Sequence, residues 1–172
     1  MKNQTWTEVK TTGEWTKRVA GALTERGLQL TTAESCTGGN LAAALCAETG
    51  TAAFYDTGMI TFSDGAKKKV LGVQESTLAK YSAVSAQCVQ EMSAGALDIA
   101  KADIGIAISG YAGPDGGEDG TPAGTVWFAW NFRGHIETER VLFTGESQDV
   151  VEKAVRYSLA KLVEKLSEWE TG

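Results

Sequence analysis

The sequence predicts an α/β domain: a three-layer α/β/α sandwich around a mixed, mostly parallel sheet with one antiparallel hairpin. Three observations lead there. Amphipathic helical stripes alternate with short β-branched runs, the order of a sheet covered on both faces. One run, Ile104-Gly105-Ile106-Ala107-Ile108, alternates large and small residues with no polar face, as a strand buried on both sides does. Two further runs flank Arg133-Gly134 and are β-branched or aromatic on both sides of that turn, which reads as a hairpin.

Taken in order, Gly13 to Arg26 carries Trp15, Val19, Ala22 and Leu23 on one helical stripe, and Gly27 is placed to end that helix in the left-handed conformation. Leu28 to Ala33 reads as the first buried strand. Glu34 to Gly39 is a polar, glycine-ended turn into a second helix, Asn40 to Glu48, closed by Gly50. Gly58 to Phe62 is a short strand, and Ser63 is a candidate cap for a short helix ending at Gly72. A helical turn around Thr77 to Tyr81 follows. Ser85 opens a longer helix with Val89, Met92, Ala96 and Ala100 on one face, where Met92 reads as core filler. Asp103 to Ser109 is the central strand; Thr125 to Phe132 and Ile136 to Phe143 form the hairpin, with its aromatic residues assigned to the core. The last helix runs from about Gln148 to Ser167 on a stripe of Val151, Val155, Leu159, Leu162 and Leu166.

At 172 residues the chain is long enough to bury roughly 70% of its unfolded surface, so no disulfide or metal staple is needed. We expect one domain over 1–172 with a core of about 13–166. Lys and Arg total 16 against 22 for Asp and Glu, a net charge of −6, which argues against a nonspecific nucleic-acid or anionic-membrane surface. A local pocket can still oppose that sign. Cys36, Cys46 and Cys88 make an odd set without CxxC spacing, as in a reduced cytosolic protein. The opening Met1-Lys2-Asn3-Gln4-Thr5-Trp6 has no apolar leader region, and no stretch approaches the ~18 apolar residues of a span. A cytoplasmic, unanchored protein is the expectation. The lone histidine, His135, reads as a surface turn residue.

Three segments hold the candidate chemistry. In Thr32-Ala33-Glu34-Ser35-Cys36-Thr37-Gly38-Gly39, two hydroxyls, a thiol and two glycines sit between a buried strand and a helix start, where main-chain amides are available to an anion or oxyanion. It matches neither a Walker A loop nor the GxSxG elbow, and a plain capped turn explains the same composition. Cys36 is an alternative nucleophile, but has no evident activator and fits better as a small buried residue. In Phe62-Ser63-Asp64-Gly65-Ala66-Lys67, Lys67 lies one turn past a strand end, positioned to lean over the same pocket as Ser35; a partly buried lysine is able to deprotonate a serine. Lys68 and Lys69 read as a solvated face. In the third segment, Ser109 through Thr125, glycine recurs so often that seven of the chain's 20 glycines and both prolines fall between Gly105 and Gly124. Such a loop lets the backbone approach a ligand at the strand end of an α/β sheet. Its spacing is not GxGxxG. Asp115, Glu118 and Asp119 in it read as an exposed acidic turn rather than a cation site.

AESCTGG, then GxxxFSDxxK, then SGYAGPDGG…PxGTV, in this order, resemble the CinA C-terminal domain family over nearly the whole chain. The resemblance implies an α/β/α fold and hydrolysis of the carboxamide of nicotinamide mononucleotide to nicotinate mononucleotide and ammonia, a step in pyridine-nucleotide recycling, without metal or cofactor. Carried over position by position, it implies Ser35 as nucleophile and Lys67 as the base that activates it. It implies a mononucleotide pocket walled by Glu34, Thr37, Gly38, Gly39, Ser109, Gly110, Ala112, Gly113, Pro114, Gly116, Gly124 and Thr125, with no metal ligands. Larger members carry an N-terminal molybdopterin-binding-like domain linked to ADP-ribose pyrophosphatase activity; neither that domain nor that activity is expected here. The chain departs from the family at two places. Phe62 stands where the family has a tyrosine, so a phenyl ring keeps the packing and loses a hydroxyl, a change that typically costs about 10²- to 10⁴-fold when the group positions a proton. Thr121 stands before Pro122, where related chains often carry a lysine that contacts phosphate. Two functions therefore follow: an amidohydrolase acting by a Ser-Lys mechanism, or a paralogue with impaired turnover that serves as a nucleotide-binding or regulatory protein. A small-molecule partner is expected under both, without nucleic acid or membrane; homo-oligomerisation is left open. The family's competence and damage labels carry no DNA-binding expectation for so acidic a chain.

Overall fold

Five strands form one sheet in the order β2-β1-β3-β4-β5. The computed structural model describes residues 10–171; the opening segment read above for a leader lies outside the described residues. In chain order the elements are α1 (Thr12–Arg26), β1 (Leu30–Glu34), α2 (Asn40–Cys46), a 3-10 turn (Thr51–Ala53), β2 (Tyr55–Ile60), α3 (Asp64–Leu71), α4 (Glu75–Tyr81), α5 (Ala86–Ala100), β3 (Ile104–Gly110), β4 (Thr125–Phe132), β5 (His135–Leu142) and α6 (Ser147–Thr171). β1 is parallel to β2 and to β3, whereas β4 is antiparallel to both β3 and β5, so four of the five strands point the same way.

The layers follow from side-chain alternation. Ile104, Ile106 and Ile108 of β3 face α1, α2 and α6 in the larger core cluster, with Leu23, Leu41, Leu45, Phe128, Trp130 and Leu159. The opposite face of the same strand is small. There Ala107 joins Ala33 and Ala129 beneath α3 and α5, with Leu71, Val89, Met92 and Ala96. Small residues let a helix sit close to the sheet, and a second close approach seats α3 against α5. At Gly95 a Cβ would collide with the Leu71 carbonyl, so glycine is required where the end of α3 meets α5.

Helix ends obey local rules. Thr11 and Glu14 form a reciprocal capping box on α1, and Gly27 closes that helix at φ 65°. Ser63 caps α3, its Oγ accepting from the Ala66 amide at 3.0 Å, and Ser85 caps α5 in the same manner.

Several boundaries differ from expectation, each for a nonlocal reason. The first strand starts at Leu30, because the Leu28 amide donates back to Leu23 O and the Gln29 amide donates to Asp103 Oδ2. Asp103 is therefore a bracket between β1 and the Arg133 turn, not a strand residue. The second strand runs Tyr55–Ile60, beginning earlier because the Tyr55 hydroxyl pairs with Thr32 Oγ1 at 2.6 Å. It ends before Phe62 because the Thr61 and Phe62 carbonyls turn out of the ladder toward a lysine. α2 stops at Cys46, and α6 begins at Ser147. Val151 is half-buried and lines a cavity, while Val150 and Ala154 take the core positions.

Candidate active site

The C-terminal ends of β1, β2 and β3 open onto a cavity of about 810 Å³. This is the usual ligand edge of an α/β sheet and a volume in the range of small-molecule sites. Ser35 follows β1 directly, its amide held by the Ile108 carbonyl of β3 at 3.0 Å. Lys67 is the fourth residue of α3, half a helix from the Ser63 cap, and its side chain reaches back under the β2 exit. Only 1% of it is exposed. Its Nζ lies 2.8 Å from Ser35 Oγ, 2.9 Å from Thr61 O and 3.2 Å from Phe62 O. No carboxylate pairs with it among the described residues, and burial holds its pKa below the ordinary lysine value, although Cys88 and Asp64 pull the other way. The two side chains, 32 residues apart in sequence, thus share one hydrogen bond in the floor of the cavity.

Phe62 contributes through its backbone. Its carbonyl accepts from Lys67, and lies 3.5 Å from Ser35 Oγ, while its ring lines the cavity at 73% exposure. The expectation that the ring keeps a packing role is corrected: no core shelters it, because the chain has already left the sheet at Ile60.

Cys36 also lines the cavity, but burial pushes its thiol up to about 12, with Glu34 adding to the rise. It is a protonated thiol at neutral pH, unsuited to attack. The remaining predicted residues divide into two sets. Ser109, Gly110, Ala112 and Gly113 line the cavity with Ser35, Lys67 and Phe62. Glu34, Thr37, Gly38, Gly39, Pro114, Gly116, Gly124 and Thr125 do not line it. Glu34 is fully buried behind the wall: its carboxylate accepts from Thr37 Oγ1 at 2.6 Å and from the Leu41 and Ala42 amides at 2.9 and 3.0 Å. It caps α2 from the strand, which is why Gly39 at the helix start needs no capping side chain. The Gly38 amide is bonded to Ser35 O, forming the tight turn that returns the chain to α2. Gly124, at φ 93°, holds the base of the long loop: its amide donates to Tyr111 O, and a Cβ there would strike the Phe143 carbonyl. Asp115, Glu118 and Asp119 are exposed, with Asp119 turned to the Thr121 amide at 3.0 Å. His135 is exposed at the start of β5.

Other cavity residues escaped sequence reasoning. Asn40, Asp64, Gln148 and Glu152 line it from α2, α3 and the first turns of α6. Gln148 and Glu152 stand in no recognisable spacing with Ser35, because α6 reaches the site only through packing, whereas Asp64 lies within the FSDxxK motif and was given no role there.

Fold and site together define an α/β/α protein with a buried serine–lysine pair at the parallel-strand edge. The chain belongs to the CinA C-terminal domain family, which residues 13–166 match. It is 55% identical over 139 residues to Protein YdeJ of Escherichia coli K12, covering 81% of each chain. It is 46% identical over 147 residues to the nicotinamide-nucleotide amidohydrolase PncC of the same organism, covering 85% of this chain and 89% of that one. Among solved structures, the competence damage-inducible protein A (ComA) of Klebsiella pneumoniae superposes with a TM-score of 0.93 at 68% identity, over 93% of this chain and 99% of that one.

Proposed function

We propose that this chain is an amidohydrolase acting on the carboxamide of a nicotinamide nucleotide, with Ser35 as nucleophile and Lys67 as its base. The observation that carries the reading is the 2.8 Å contact between Lys67 Nζ and Ser35 Oγ at the cavity floor. The similarity to PncC supports the substrate. A neutral lysine has two N–H hydrogens and one lone pair. The carbonyls of Thr61 and Phe62 only accept, so they take the two hydrogens and leave the lone pair for the Ser35 hydroxyl. Burial lowers the cost of that neutral form.

In the scheme, Ser35 Oγ bonds to the amide carbon as its proton passes to Lys67 Nζ. Collapse breaks the C–N bond, and Lys67 returns the proton so that ammonia departs. Water then attacks the Ser35 ester, giving one proton to Lys67; the bond from the acyl carbon to Ser35 Oγ breaks, Lys67 returns that proton to Oγ, and the acid leaves as the carboxylate, its remaining proton passing to solvent. Ser109, Gly110, Ala112 and Gly113 form the wall against the substrate. Glu34, Thr37, Gly38 and Gly39 hold the turn that carries Ser35, and Pro114, Gly116, Gly124 and Thr125 hold the shape of the long loop.

A second reading, a nucleotide-binding protein with impaired turnover, is favoured by one observation: the exposed Phe62 ring brings no hydroxyl to the site. One assay separates the two. Ammonia release from nicotinamide mononucleotide is expected from the unaltered protein and should fall about 10²- to 10⁴-fold in Ser35→Ala. No release from the unaltered protein, together with a rise in Tm on adding the mononucleotide and restored release in Phe62→Tyr, selects the second reading.

A further inference from the structure

On the α5 side the cavity is lined by Leu78, Ser82, Ala83 and Val84, the end of α4 and its link to α5. Ser82 stands there at φ 68° and ψ 173°, a conformation essentially reserved for glycine, since a Cβ crowds the main chain in it. Two other non-glycine residues have positive φ among those described, and each has a local reason. Lys101, at φ 53° and ψ 39°, takes the common left-handed position at a helix end, and Arg133 with Gly134 forms the two-residue turn of the hairpin. Neither lines the cavity. Ser82 is held by its own main chain: its amide donates to Leu78 O at 3.0 Å and its carbonyl accepts from Ser85 Oγ at 2.9 Å. Glycine would keep both bonds without the strain, so the side chain is what the strained backbone presents. Its hydroxyl oxygen accepts from the Val84 amide at 3.2 Å, which leaves its O–H proton with no acceptor among the described residues. One half-exposed hydrogen bond offsets such strain only in part. Ser35 and Lys67 form the buried floor, whereas Ser82, Ala83 and Val84 are half-buried, nearer the mouth. A carboxamide brought to that floor leaves the rest of a nucleotide, rich in acceptor oxygens, alongside Ser82.

We infer that Ser82 is a substrate-binding residue, its hydroxyl donating to an oxygen of the bound nucleotide's ribose phosphate while its strained main chain holds it at the cavity wall. This rests on the amidohydrolase reading for its substrate but is tested separately, by binding. Titration calorimetry with nicotinamide mononucleotide, carried out on Ser35→Ala so that turnover is stopped, compares that protein with Ser35→Ala/Ser82→Ala and Ser35→Ala/Ser82→Gly. Both double variants are expected to bind about tenfold more weakly, the worth of one hydrogen bond. Melting separates binding from a structural role. Ser82→Gly, relieved of the strain, should melt about 2–4 °C above the unaltered protein, and Ser82→Ala, which keeps it, no higher than the unaltered protein. Binding in Ser35→Ala/Ser82→Ala within about twofold of Ser35→Ala, no binding in Ser35→Ala itself, or a Tm unchanged or lower in Ser82→Gly overturns the inference. Ammonia release is read in parallel on Ser82→Ala without the Ser35 change, where KM should rise about tenfold with kcat within about threefold. Weakened binding with no ammonia from the unaltered protein sustains the inference and removes the amidohydrolase reading. Ammonia from the unaltered protein, with binding unmoved by Ser82→Ala, does the reverse.

Discussion

Two lysines are buried among the described residues, and they are buried differently. Lys165, on α6 over the hairpin, is 8% exposed, lies 3.3 Å from Glu137 and 3.4 Å from Glu139, and places its ammonium 4.8 Å from the centre of the Trp130 ring. Lys67, over the parallel strands, is 1% exposed and meets three neutral oxygens. A charge taken from water is tolerated when a countercharge replaces the solvent, so Lys165 is compensated as an ammonium. Without a countercharge, burial disfavours the ammonium and lowers the Lys67 pKa from its ordinary value, which suits the base role proposed for it. The surroundings match. The hairpin half is aromatic, with Phe128 stacked on Trp130 at 5.5 Å and Tyr157 and Phe143 packed around them. The parallel half buries Thr32, Glu34, Ser35, Thr61 and Ser109 near its strand ends. Cohesion comes from the first region, and the proposed chemistry lies in the second.

The sharpest way to break this contrast is Lys67→Met. Ammonia release should fall by about 10²- to 10⁴-fold, and a rate equal to the unaltered protein's would remove Lys67 as the base. Its proton also leaves a mark on stability. Burial lowers the folded-state pKa below 10.5, so between that lowered value and 10.5 the unfolded chain binds more protons, and stability rises with pH across the window. Denaturant midpoints measured from pH 7 to 10 should climb in the unaltered protein and flatten in Lys67→Met. The activity of the unaltered protein should rise through a limb whose midpoint also lies below 10.5.

In the other half, Trp130→Ala removes a fully buried ring and the bond from its Nε1 to Ser158 O at 3.0 Å. About 3–5 kcal/mol of stability should be lost, lowering Tm on the order of 10 °C at this chain length. Unchanged melting would refute the claim that the aromatic side carries cohesion. Lys165→Met is the matched counterpart to Lys67→Met. Its partners Glu137 and Glu139 keep side-chain exposures of 39% and 29%, so solvent recovers much of the lost pairing. A loss of about 1 kcal/mol with kcat within twofold is expected, read by denaturant titration and ammonia release. The smallest effect belongs to Cys36→Ala. With its thiol pushed up to about 12, iodoacetamide at neutral pH should label the exposed Cys46 before Cys36 or Cys88, and activity should stay within a few-fold. Loss of turnover comparable with Ser35→Ala would move the nucleophile to the thiol.

Much of the fold was legible because its signals are local. The Ile104 to Ile108 alternation announces a strand with one large and one small face, and the glycines at 27 and 72 end helices at positive φ. The site was legible in part. Ser35 and Lys67 were singled out by their places after strand ends, but spacing does not say which way a side chain points. Glu34 is the clearest case: it adjoins Ser35, yet as the last residue of β1 it faces away from the cavity and caps α2. Phe62 is another, since its side chain drew the attention while its carbonyl makes the contact with Lys67.

By itself the sequence determined the order of helices and strands, the two-faced central strand and the family motifs that mark Ser35 and Lys67. These depend on periodicity and on backbone preferences of single residues, which act within a few positions. Tertiary structure decided that the β2 exit presents two carbonyls to Lys67, that α6 brings Glu152 to a cavity begun by β1, and that one buried lysine has carboxylate partners while the other has none. Those are contacts between residues tens of positions apart, and only the packing of helices on a common sheet selects them.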